Sequence, residues 1–164
     1  MKDSTIHSVV STPCAFIRTL HPIPRQSKSF RWEVKIVEGD DFRIGIGFAS
    51  KLPVFGHGVP LYYDKNMIGI DLCSMTVIHG VDERTELQEN PSNGDVLSFH
   101  LQYMENDGVQ YSVCHLFVNG NQIGIYLQPV SEMYPLMWMA KGNKVIETNL
   151  TEENYSFTEG NQLL

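Results

Sequence analysis

The sequence predicts an all-β protein, a two-sheet antiparallel β-sandwich. Three observations carry this. Phe30-Arg31-Trp32-Glu33-Val34-Lys35-Ile36 alternates apolar and polar side chains. Successive strand residues point to opposite faces, so such a run is half buried. Asn119-Gly120 separates two further alternating runs, a hairpin signal because both residues tolerate positive φ. No helical periodicity extends over ten residues.

Taken in order, Phe30–Ile36 is a strand, and Gly39-Asp40-Asp41 a turn. Phe42–Ala49 is the next strand, with Phe42, Ile44, Ile46 and Phe48 on one face. The glycines at 45 and 47 share the other face, where they let something approach the backbone closely. Residues 50–66 read as a long surface loop, punctuated by Pro53, Gly56, Gly58 and Pro60. Met67–Cys73 and Met75–His79 are short strands, and the polar stretch 81–93 is a connector. Val96–Met104, Tyr111–Val118 and Gln122–Leu127 are strands. Tyr134–Ala140 and Lys144–Leu150 are the last two, joined by a turn at Lys141-Gly142-Asn143. The domain reading is an N-terminal extension over 1–26, partly ordered, a sandwich over 27–150 and a polar tail over 151–164.

The chain has 164 residues, enough for one domain, and 42% are hydrophobic, enough for a core. Asp plus Glu is 19 against 12 for Lys plus Arg, a net charge of -7. Nucleic acid is therefore not an expected partner, since holding a phosphate backbone needs a concentrated basic face. No run is long and apolar enough to predict a membrane span, and the broken stretch Ile6–Ile17 is not read as a signal peptide. Cys14, Cys73 and Cys114 are odd in number and far apart, which favours free thiols in a reducing compartment, the cytoplasm or nucleus.

Chemistry is sparse. The six histidines form no HxH, HxxxH or HExxH spacing. Cys114 and His115 are strand neighbours facing opposite ways, and a Cys73–His79 pair would give only two ligands, so no metal is expected. No GxSxG elbow is present, and the paired acids Asp40-Asp41, Glu105/Asp107 and Glu152-Glu153 read as solvated turns. Gly45-Ile46-Gly47 lies within a strand and is no phosphate fingerprint. Trp32 and Trp138 sit in alternating apolar runs and read as core. Neither an enzyme nor a cofactor is expected.

The order of these motifs resembles a SPRY domain. Phe30–Ile36, Ile44–Ala49, Ile68-Gly69-Ile70-Asp71 with Ile78-His79-Gly80, Gly94-Asp95-Val96, Leu116-Phe117-Val118-Asn119-Gly120 with Ile123-Gly124, and Tyr134-Pro135 are each similar to a family motif. They stand in family order across residues 27–150. The chain departs from the family at Gln26-Ser27-Lys28-Ser29, where a glycine is usual, and at Asn149-Leu150-Thr151, which replaces Asn-Phe-Gly. The resemblance implies a divergent, minimal member with a concanavalin-like jelly roll.

It also implies a protein-interaction module that holds a short segment of a partner protein through loops at one end of the sandwich. Such modules serve as substrate-recognition arms of ubiquitin ligases, so a ligase subunit in another chain is an implied partner. By similarity to SPRY-and-SOCS-box adaptors, the implied site residues are Arg18 and Pro22, then Val54, Phe55, Tyr62 and Tyr63, then Lys141 and Gly142. The arginine would pair with a carboxylate or carbonyl and the aromatics would anchor the partner. The rival reading is a carbohydrate-binding sandwich, lectin-like or similar to a Neuralized repeat, on the strength of the aromatic loop. A hydrolase on the same scaffold is the third.

Overall fold

The computed structural model describes residues 4–25, 28–39, 44–51, 54–56, 59–62, 65–80, 83–88, 90–129, 131–149 and 155–160. Among the described residues the elements are thirteen strands: β1 (Ser4–Thr19), β2 (Ser29–Gly39), β3 (Ile44–Ala49), β4 (Val54–Gly56), β5 (Val59–Tyr62), β6 (Ile68–Asp71), β7 (Thr76–His79), β8 (Glu83–Glu86), β9 (Val96–Asn106), β10 (Val109–Val118), β11 (Asn121–Pro129), β12 (Tyr134–Thr148) and β13 (Tyr155–Gly160). Hydrogen bonding links them in the order β11-β10-β9-β2-β12-β3-β6-β7-β8. β1 lies along β12 and β13 along β1, while β4 and β5 form a separate hairpin. Strands thus also come from residues on either side of 27–150.

This one path makes two layers because β12 changes partner. Its first half, Tyr134–Met139, pairs with β3, and its second half, Lys144–Thr148, pairs with β2. β1 follows both halves, with a register shift between Val10 and Cys14. Layer one is β11, β10, β9, β2 and the second half of β12. Layer two is the first half of β12 with β3, β6, β7 and β8. Trp32 and Phe99 are register partners on layer one, with ring centroids 5.5 Å apart. Phe48 of layer two packs 6.0 Å from both. The buried Trp32 Nε1 donates to Thr148 Oγ1 at 2.8 Å, and that hydroxyl donates to the Glu33 carbonyl at 3.0 Å. The indole is therefore buried without an orphan donor.

Four sequence expectations change. The turn at Lys141-Gly142-Asn143 is absent. The two halves of β12 pair with β3 and β2 rather than with each other, and Gly142 and Asn143 stay paired to β1. Residues 50–66 contain the β4–β5 hairpin rather than only loop. Residues 81–93 contain β8, whose residues are all exposed. An edge strand wet on both faces shows no apolar alternation, which hid it. Cys73 lies at the exposed turn of the β6–β7 hairpin, and His79 at its far end opposite Ile68, so the two do not meet. The Asn119-Gly120 hairpin forms as expected, with φ of 50° and 80°.

Candidate functional site

The site grows from the end of β1. The backbone of Arg18 is held between Leu136 of β12 and Ser156 of β13. Its guanidinium lies over the Tyr134 ring, 4.5 Å from the centroid. Tyr134 opens β12 and pairs with Ala49, the last residue of β3. Just beyond Ala49 the chain departs toward β4 and β5. It returns at Asn66, whose Nδ2 donates to Ser50 Oγ at 3.3 Å and closes the stem.

After β1 the chain turns where Thr19 Oγ1 donates to the His21 carbonyl at 2.9 Å. Leu20 is left 50% exposed and Pro22 half-buried. Ile23 N then donates to the Met133 carbonyl at 2.8 Å, and both side chains are buried. Four segments therefore meet at one end of the sandwich: the end of β1, residues 20–23, residues 131–134, and the stem of the β4–β5 excursion. Stacking engages the face of the Arg18 guanidinium, and the in-plane N–H groups are the fork that matches carboxylates.

The structure brings Arg18 and Pro22 to this end. Val54 pairs with Tyr62, and Phe55 with Pro60, in the backbone of the hairpin that leaves from it. Tyr63 and the side chains of Val54, Phe55 and Tyr62 lie outside the described residues. Lys141 and Gly142 are not brought here. They follow Tyr134 along β12 beyond Met139, which pairs with Ile44 at the other end of β3. At about 3.3 Å per residue that is roughly 23 Å along the strand. The residue missed by sequence reasoning is Tyr134. The sequence marks it only as the start of a strand and of a family-like motif, because its partner Arg18 stands near the opposite end of the chain.

Other chemistry is confined. Among the described residues no group of three or more His, Cys, Asp or Glu side chains would hold a metal ion. Cys114 is buried, and burial pushes its thiol pKa up, which keeps it protonated. No helix among the described residues is long and apolar enough to cross a membrane.

Two sequence motifs prove to be one device. Asn119 Nδ2 donates to Asp95 Oδ1 at 2.8 Å, and Val96 N donates to Asn119 Oδ1 at 2.9 Å. This ties the β10–β11 turn to the start of β9. The Asn119 and Ser92 hydrogen bonds hold the Asp95 carboxyl below its usual pKa.

A human SPRY domain superposes with a TM-score of 0.60 at 15% identity, over 90% of this chain and 99% of that one. The chain thus has the fold of a SPRY domain. No family model matches its sequence. Ran-binding protein 9 of Xenopus tropicalis and of Xenopus laevis are each 25% identical over 165 residues, 92% of this chain and 26% of the relative. The chain thus spans about a quarter of the length of the curated relatives it matches.

Proposed function

We propose that this SPRY domain is a protein-interaction module, without catalysis of its own, that holds a short segment of a partner protein at the Arg18–Tyr134 end. The observation that supports it most is the Arg18 guanidinium stacked at 4.5 Å on Tyr134, beside exposed Leu20. A pre-oriented guanidinium loses little freedom on binding, and its planar fork suits a partner carboxylate. Pro22, Val54, Phe55, Tyr62 and Tyr63 are proposed as the surrounding contacts. Lys141 and Gly142 are left out, since they sit beyond the far end of β3. The curated relatives are named as Ran-binding proteins, and only the class, protein binding, is carried to this chain. Delivery of the bound partner to a ubiquitin-ligase subunit in another chain is the wider role that the resemblance suggests.

The test compares two baits in a cell lysate, the wild-type domain and an Arg18→Ala, Leu20→Ser variant, both checked for folding by circular dichroism. A partner kept by the first and lost by the second is the expected result. A partner kept by both would move the binding surface elsewhere. Binding to a glycan array that depends on Arg18 would replace the reading with a carbohydrate site.

A further inference from the structure

The strand path that runs from β11 to β8 has two ends, and they are guarded differently. β8 reads Glu83-Arg84-Thr85-Glu86, and charge on an edge discourages a further strand from pairing with it. β11 runs from Asn121 to Pro129 and carries no charged side chain. Its later part is tied to layer two. The His79 ring lies 5.3 Å from the Tyr126 ring, and its Nε2 is 3.2 Å from the Leu127 carbonyl. The Tyr126 hydroxyl is hydrogen-bonded to the Thr85 side chain, and Gln128 Nε2 donates to the Met67 carbonyl at 3.1 Å. Ahead of these ties β11 and β8 part, and a cleft of about 390 Å³ opens between them. Val77 of the core lines it, with Leu87, Ile123 and Tyr126 packed on that core. The Tyr126 ring lies where a Cβ on Gly124 would stand, so glycine at 124 lets the ring lie along the strand.

Backbone direction matters at this edge. The Leu127 carbonyl reaches His79 and so points away from β10. Along an antiparallel strand the backbone groups of alternate residues share a side, so Ile125 N–H and C=O also point off the edge. The side chains of Ile125 and Leu127 are exposed.

We propose that the β11 edge and the cleft beside it dock an extended segment of a partner protein, which adds to β11 as a further strand, sends alternate apolar side chains into the cleft and lays the others beside Ile125 and Leu127. In strand addition the main-chain hydrogen bonds give affinity and pockets for alternate side chains give specificity. A cavity of about 150 Å³ holds a benzene ring, so this cleft takes roughly two large apolar side chains. Charge and size select the occupant. Glu86 is the one charged residue lining the cleft, and among the described residues it belongs to no ion pair. A lysine or arginine in the segment meets it, whereas an acidic segment is repelled. A second copy of this chain fits less well. β11 against β11 would join nine residues a side, where a stable interface takes about 20–30. The Arg18–Tyr134 site uses none of these residues.

The test titrates the whole chain with a synthetic peptide of alternating Leu and Thr, one Thr replaced by Lys, and follows amide hydrogen exchange by NMR. Slowed exchange of the Ile125 amide is expected as peptide is added. Methylating alternate amide nitrogens of the peptide keeps its side chains, and one of the two alternate sets should abolish binding while the other leaves it. Ile125→Pro removes a donor that β10 does not use, and should weaken binding about tenfold or more. Leu87→Ser with Ile123→Ser should also weaken it, and Arg18→Ala should leave it unchanged. Exchanging the peptide Lys for Glu should weaken binding up to about fivefold, a difference that Glu86→Gln should remove. If circular dichroism shows that Ile125→Pro does not fold, the two methylated peptides decide. No slowing at Ile125 with millimolar peptide, equal effects of the two methylation patterns, or loss on Arg18→Ala would each overturn the proposal, the last in favour of the Arg18–Tyr134 site. Slowed exchange at Ile125 that grows with protein concentration and needs no peptide would overturn it in favour of a second copy.

Discussion

The outer faces of the two layers are built from similar alternating strands and end up in opposite environments. On layer two, Ala49, Met67, Ile78, Leu136 and Trp138 form a second buried cluster behind the main core. On layer one, the outward positions include exposed Arg31 and half-buried His100 and His115, beside a cleft lined by Arg31, Ser98, His100, Phe117 and Gly120. The difference traces to β3. Its outward positions begin with Gly45 and Gly47, and the Trp138 indole lies where a Cβ on Gly45 would stand. A side chain on Gly47 would likewise overlap the Ile68 carbonyl of β6. Missing side chains let the indole pack close against the β3 backbone, and the outer face there is buried. Where β2 and β9 carry Arg31 and His100 instead, the face stays wet.

The comparison breaks first at its largest element. Trp138→Ala removes a fully buried indole and should cost about 3–5 kcal/mol. Urea unfolding followed by circular dichroism reads this, and a near-neutral result would mean the outer cluster is not part of the folded core. Next, Gly45→Ala forces a methyl against the same indole and should cost about 1–3 kcal/mol. Combined with Trp138→Ala it should cost less than the sum of the two, because the clash is gone. Additive losses would show that the two positions do not touch.

On the wet face the effects should be small. His100 has a depressed folded-state pKa, so the unfolded chain binds more protons between that value and 6.5. The stability it contributes is present above 6.5 and is lost as the pH falls through the folded value. His100→Gln should flatten that part of the stability–pH curve, and an unchanged slope would assign it to another group. Smallest of all, Ile125→Ser and Leu127→Ser should each stay within about 0.5 kcal/mol of wild type by the same urea assay. A loss as large as that of Trp138→Ala would mean that this face is a structural one.

Much of the sandwich was legible because its strands have one wet face. β2, β9, β10 and β11 announce themselves by alternation, and β3 by the glycines of its outer face. β8 carried no such mark, since both its faces are exposed. Nor did β12 show its continuity, because Lys141-Gly142-Asn143 punctuates the sequence like a turn. Of the candidate site, Arg18 and Pro22 were reached through the resemblance to SPRY domains. Tyr134 was not, for its role rests on a contact with a residue far along the chain.

The sequence by itself determined which residues face inward on each strand, where the Asn119-Gly120 hairpin turns, and which sheet face could be approached closely. These are local properties, written in a period of two and in the φ preferences of single residues. Only the tertiary structure decided that β12 leaves β3 for β2, that Arg18 stacks on Tyr134, and that Arg31, His100, His115 and Ile125 share a row. Those pairings join residues distant in the chain, and their register is set by burying two sheets against each other, which no local pattern records.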